Sequence, residues 1–206
     1  MTQVRPYAGV DATDRQARRR ARLLEAGLDL LGSDADPAEL TVRGICHEAG
    51  LATRYFYENF SDKDQFIGDV FDWAIGRLAA TTQAAVSSAP AEEQSRAGIA
   101  NIVRIIESDP RIGRLMFGAH VANSAVIRKR RDSEAFFAML SGRHVETLLS
   151  RPGSERISAF AHFVVGGVTQ TLSAWVTEEV QLSPGELVDE LDRIIGAFSQ
   201  ARLFVD

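Results

Sequence analysis

Apolar side chains recur along most of the chain at the i, i+3, i+4, i+7 spacing of a buried helical stripe, and nowhere alternate as a half-buried strand would. Leu23, Leu24, Ala26, Leu28, Leu30 and Leu31 define a first helix. Thr13 with Gln16 three residues on is its capping-box start, and Gly32-Ser33 ends it. Residues 1–12, with Pro6 and Gly9 and no periodicity, read as a mobile arm, and Asp34 to Glu39 as a loop. Val42, Ile45, Cys46 and Ala49 predict a second helix capped by Thr41, stopped by Gly50 and plugged by Leu51. Phe56 and Phe60, four apart, turn inward on a short third helix whose Arg54, Tyr55 and Glu58 point away. Ser61, with Asp64 as capping-box partner, opens a long fourth helix carrying Phe66, Ile67, Val70, Phe71, Ala74 and Leu78 and reaching Ser88.

Ser87 to Pro90 is the clearest break in the chain. Beyond it the pattern predicts five more helices: Ala91–Ser108, Asp109–Phe117, Ser124–Ser150, Ser154–Val180, and one capped by Ser183-Pro184 that runs to about Phe204. Arg151-Pro152-Gly153 is a turn. The expected fold is all-α with about nine helices. A three-helix unit spans 1–60, the helix at 62–88 is a connector, and 61–206 forms a larger helical domain. The eighth helix has a stripe of Ile157, Phe160, Val164, Val168, Leu172 and Trp175, and a second face of Ala159, Phe163, Gly166, Gly167, Gln170 and Ala174. The ninth offers Leu187, Leu191, Ile194, Ile195, Phe198 and Ala201. That is more apolar surface than one seam uses. It suits a four-helix interface with a second copy, or else packing against the seventh helix.

Two helices joined by a short turn containing Gly form a helix-turn-helix, whose second helix enters the DNA major groove. Here the second and third helices resemble the DNA-binding segment of the TetR family of bacterial transcriptional regulators. The residues that carry the resemblance are Thr41, Ile45-Cys46, Ala49-Gly50, Tyr57-Glu58-Asn59-Phe60 and Lys63. Ala52 stands where that family usually has a Ser or Thr cap, Cys46 where it has Ala, and Glu58 where a neutral or basic residue is common.

The resemblance implies a homodimer binding double-stranded operator DNA at a pseudo-palindrome, through Thr41, Thr53, Arg54, Tyr55, Tyr57, Asn59 and Lys63. The residue chemistry agrees: Thr41, Lys63 and the Tyr57 hydroxyl suit phosphates, and Arg54, roughly opposite Phe56 on the helix, suits a guanine edge. A solvated surface arginine is the plainer alternative for Arg54, and a packing role for Tyr57; Thr53 and Asn59 lie partly toward the core. Glu58 would repel phosphate unless it accepts from a cytosine amino group or pairs with Arg54. The resemblance also implies a small apolar or amphipathic effector in the second domain, for which Met116, Phe117, His120, Phe137, His162, Phe163 and Trp175 are candidates; each could instead be ordinary core.

Charge qualifies this picture. The net charge is -5 at pH 7, which argues against indiscriminate coating of nucleic acid. Residues 1–23 hold six arginines against two acids, whereas 24–72 hold three cations against eleven acids. DNA affinity should then depend on few phosphate contacts plus dimerisation, and be salt-sensitive. The arginines at 15–22 are either a solvated face or DNA contacts, and Arg128 to Arg131 reads as solvated surface. The acidic balance also leaves room for a helical regulator that acts through a protein partner. His47-Glu48 begins like a metalloprotease helix, but Leu51 stands where its second His would be. The four histidines lack ligand spacing, and neither a phosphate-binding glycine loop nor a serine elbow occurs, so no enzyme, metal or cofactor is expected. One cysteine fits a reducing cytoplasm, and no apolar run approaches the ~18 residues of a membrane span.

Overall fold

A computed structural model describes residues 9–33, 40–118, 123–149 and 154–200. They fold into helices α1 (Gly9–Leu31), α2 (Val42–Glu48), α3 (Arg54–Tyr57), α4 (Lys63–Ser88), α5 (Gln94–Ser108, entered through a 3-10 turn at Ala91–Glu93), α6 (Pro110–Phe117), α7 (Ser124–Leu149), α8 (Glu155–Val176) and α9 (Pro184–Gln200). The fold is all-α, with no strand among the described residues. No helix among them is long and apolar enough to cross a membrane. The expected loop at Asp34 to Glu39, the turn at 151–153 and the chain beyond Gln200 lie outside the described residues, as do residues 1–8 of the expected arm.

Three boundaries differ from the sequence expectation. First, α1 begins at Gly9, four residues before Thr13. Second, α4 is capped by Asp62 rather than Ser61. Asp62 Oδ1 accepts from the Gln65 amide at 2.8 Å, while Gln65 Oε1 accepts from the Ser61 amide at 2.7 Å. Adjacent Ser and Asp compete for the cap, and the ionised carboxylate is the stronger acceptor. Third, α8 stops at Val176. Glu178 takes a left-handed φ of 62°, and the Trp175 indole N–H donates to the Leu182 carbonyl at 2.9 Å, folding the chain back toward α9.

A first buried cluster joins Leu23, Leu28 and Leu31 of α1, Ile45 of α2, Phe56 and Phe60 around α3, and Phe66, Val70 and Phe71 of α4. It continues into Ile112 and Leu115 of α6 and Val126 of α7, so buried packing is continuous across the border expected near residue 60. A second cluster places Ile99, Val103 and Ile106 of α5 against Leu172 of α8 and Leu187, Val188 and Leu191 of α9. Each fully buried Leu or Phe contributes about 1.5–3 kcal/mol relative to exposure.

Two features fix the helix-turn-helix to this framework. At Gly27, α1 crosses α4 so closely that a Cβ would lie 2.5 Å from Val70 Cγ2 and 2.6 Å from Phe66 Cζ. On either side of that crossing, Arg111 of α6 pairs with Glu25 at 2.9 Å and with Asp29, and it also pairs with Asp109 at 2.7 Å. Arg114 Nε also donates to the Gly32 carbonyl at 2.6 Å. The basic run on α7 is not simply solvated. Lys129 pairs with Asp72 of α4, and half-buried Arg130 donates Nη2 to the Leu115 carbonyl at 2.6 Å, satisfying the C-terminal end of α6. Burial pushes the Arg130 pKa down from its ordinary value.

Candidate nucleic-acid interface

Local chemistry sets the angle between α2 and α3. Thr41 Oγ1 accepts from the Gly44 amide at 3.0 Å and caps α2. At the other end Gly50 adopts φ 60°, the Leu51 amide donates to the Cys46 carbonyl at 2.8 Å, and the Gly50 amide donates to the His47 carbonyl at 3.0 Å. This is a Schellman stop, for which glycine carries no Cβ penalty. Arg22 of α1 closes the remaining acceptor, donating Nη2 to the Ala49 carbonyl at 2.6 Å. Leu51 packs against the first cluster.

The single turn of α3 is positioned by rings beneath it. Phe56 is fully buried, with ring centroids 5.3 Å from Phe60 and 5.3 Å from Phe66; Phe60 lies 4.9 Å from Phe66. With Phe56 and Phe60 inward, Thr53, Arg54, Tyr57 and Glu58 are exposed, and Tyr57 is 62% accessible. No side chain caps α3, as Ala52 foreshadows. Instead Asn59 closes its far end, donating Nδ2 to the Tyr55 carbonyl at 2.7 Å. Burial pushes the Cys46 thiol pKa up, and the neighbouring Thr53 hydroxyl offsets only part of that rise. Lys63 is half-buried at the first position of α4.

Tyr55 is half-buried beneath two arginines. The Arg54 guanidinium lies 4.6 Å from its ring centroid and donates to its hydroxyl at 2.6 Å, and the Arg19 guanidinium of α1 lies 4.3 Å from the same centroid. Arg19 Nη1 also meets Glu58 Oε2 at 3.4 Å, so Glu58 pairs with α1 and not with Arg54. Arg20 pairs with Asp69 at 2.8 Å and lies over the Phe60 ring. Three arginines of the basic run therefore hold α1 to α2, α3 and α4. These ties were missed from sequence because the partners lie 27 to 49 residues away. A signal did exist: Arg19 and Arg22 fall at helical spacing with Leu23 and Ala26, at the edge of the apolar stripe.

The seven candidate effector residues do not converge on one cavity. Met116 is buried, and Phe117 and Trp175 are half-buried beside the second cluster. Phe137 lines a groove of about 260 Å³ between α4 and α7, with Ile75, Gly76, Ala79 and Phe136. His162 lines a separate groove of about 400 Å³ between α7 and α8, with Met139, Arg143, Glu146 and Glu155. Phe163 is 61% exposed and meets Phe198 of α9 edge-on at 5.3 Å. His120 lies outside the described residues. The second face of α8 is open: Ala159, Gly166, Gly167 and Gln170 are exposed beside Phe163, with Ile194 and Phe198 of α9 also exposed.

No protein-family model matches the chain. A helix-turn-helix transcriptional regulator of uncharacterised role from Haemophilus influenzae is 36% identical over 67 residues, a match spanning 32% of this chain and 32% of that relative. A putative TetR-family regulator from Syntrophomonas wolfei superposes with a TM-score of 0.75 at 14% identity, covering 92% of this chain and 99% of its own. A putative regulator from Pseudomonas aeruginosa gives 0.74 at 18% identity, covering 91% and 93%. The regulator FadR from Bacillus subtilis, solved in complex with stearoyl-CoA, gives 0.70 at 14% identity, covering 84% and 96%. The chain is an all-α helix-turn-helix protein. Its fold is that of the TetR family of transcriptional regulators.

Proposed function

We propose that the protein is a DNA-binding transcriptional regulator, acting as a repressor that holds a pseudo-palindromic operator as a homodimer. The observation that carries this is the outward face of α3, where Arg54 and Tyr57 stand exposed above a buried aromatic base while the Thr41 cap and Lys63 flank them. Thr41, Tyr57 and Lys63 contact phosphates, and Arg54 faces a base edge with Tyr55 stacked beneath it. Thr53, beside Cys46, and Asn59, tied to the Tyr55 carbonyl, shape the helix more than they touch DNA. The open faces of α8 and α9 pair with their copies, setting two recognition helices one DNA turn apart.

The effector is a small apolar or amphipathic molecule received by the second domain, and its binding releases the operator. The stearoyl-CoA held by the Bacillus subtilis relative is of that chemical kind. The grooves lined by Phe137 and by His162 are its points of entry. Selection of bound fragments from genomic DNA tests the reading. One inverted repeat should be enriched, with affinity falling steeply as salt rises, and Arg54→Ala should abolish the specific shift while leaving a folded dimer. A second reading, regulation through a protein partner without DNA, is favoured by the commitment of Arg19, Arg20 and Arg22 to internal contacts. Enrichment of no repeat would support it.

A further inference from the structure

Arg54 and Glu58 sit four residues apart around α3 with opposite hydrogen-bonding characters. A guanidinium is all donor and an ionised carboxylate is all acceptor. A carboxylate facing a row of phosphates is repelled unless something offsets its charge and something donates to it. The structure supplies the first: Arg19 of α1 meets Glu58 Oε2 at 3.4 Å while its guanidinium lies over Tyr55. Glu58 Oε1 has no partner among the described residues, and the side chain is 47% exposed. Arg54 is meanwhile held by the neutral Tyr55 hydroxyl rather than by the carboxylate, so on meeting a base it gives up a weaker bond. Glu58, Arg19, Tyr55 and Arg54 thus form one linked row across α1 and α3.

We propose that Glu58 reads a base and that Arg19 is the residue that positions it. The inference rests on the reading of α3 as the recognition helix, and names part of what that helix recognises. In the major groove an acceptor finds donors only at the cytosine N4 and adenine N6 amino groups. Adenine places its N7 acceptor beside N6, which repels a carboxylate, whereas cytosine presents its amino group without an acceptor of its own alongside. Four residues of helix rise about 6 Å, close to two base-pair steps. Each half-site therefore carries a guanine read by Arg54 and, about two base pairs away, a cytosine read by Glu58.

Selection from a randomised duplex pool by the full-length protein tests this, with thermal melts confirming that each variant is folded. Wild type should enrich an inverted repeat with both positions fixed. Glu58→Gln, a near-isosteric change on an exposed side chain, should shift the cytosine position toward adenine, because a glutamine amide pairs bidentately with N6 and N7. Arg19→Ala should keep the guanine but blur the cytosine, with discrimination there falling about tenfold, and Arg19→Lys should restore it. Unchanged base preference in Glu58→Gln overturns the proposal. So does a uniform loss of affinity in Arg19→Ala with the salt slope reduced by about one, the mark of a phosphate contact. A wild-type repeat with no cytosine position refutes this inference alone. Enrichment of no repeat by wild type removes the recognition reading as well, and the inference with it.

Discussion

Single side chains divide into those whose partners are near in sequence and those whose partners are not. The Thr41 cap and the Gly50 stop are legible because each acts within one helical turn, on backbone groups that every helix end leaves open. Thr41→Ala should therefore lower the unfolding free energy by about 1 kcal/mol in urea denaturation, and Thr41→Ser should recover most of it. The roles of Arg20 and Arg130 were not legible, because a charged run looks the same whether it faces water or a distant partner, and only the edge of the apolar stripe hinted at those of Arg19 and Arg22. Glu58 shows the same limit. Its two expected partners were a base and Arg54, and the partner found lies on α1.

Between elements, the contacts α1 makes with α4 and α6 carry most of the consequences. Gly27→Ala should cost about 1–3 kcal/mol, since neither Val70 nor Phe66 can retreat from a filled cluster. The same alanine at Gly76, where an added Cβ meets nothing within 4 Å, should be neutral or stabilising. Arg111 links α6 to Glu25 and Asp29 of α1. Its hydrogen bond holds the Asp109 carboxyl below the usual carboxylate range, partly opposed by burial. A folded-state pKa lowered in this way adds stability above the unfolded value and loses it as pH falls through the folded value. Arg111→Met should thus lower the urea midpoint near neutrality, and the gap to wild type should narrow as pH drops below about 3.9; a gap that widens there contradicts the assignment. Helix existence was readable from periodicity, but ends were set by competition: Asp62 against Ser61, and the left-handed turn at Glu178 that halts α8.

For the whole molecule, the all-α class and the order of its helices follow from spacing, because every long element buries one stripe and most of the breaks hold Gly or Pro. The location of the proposed effector site was not readable. A groove depends on how two helices diverge, and periodicity reports which face is apolar without reporting what it meets. Hence Phe137 and His162 fall on different grooves, while Phe163, expected among ligand contacts, stands outside with Phe198. Phe163, Ile194 and Phe198 form a patch with no cover among the described residues. If a second copy covers it, Phe163→Glu should yield a folded monomer in sedimentation velocity, with operator affinity falling at least about a hundredfold. A dimer that survives that substitution would place the subunit contact elsewhere.

The close crossing at Gly27 and the Arg111 ties have a mechanical consequence. They act side by side on the C-terminal third of α1, which is wedged against α4 at Gly27 and riveted to α6 through Glu25 and Asp29. Movement of α4 or α6 is therefore passed to α1, and through Arg22 and Arg19 to α2 and α3. On the dimer reading proposed above, what a signal varies is then the span between two recognition helices, and the place to look for give is the seam between copies.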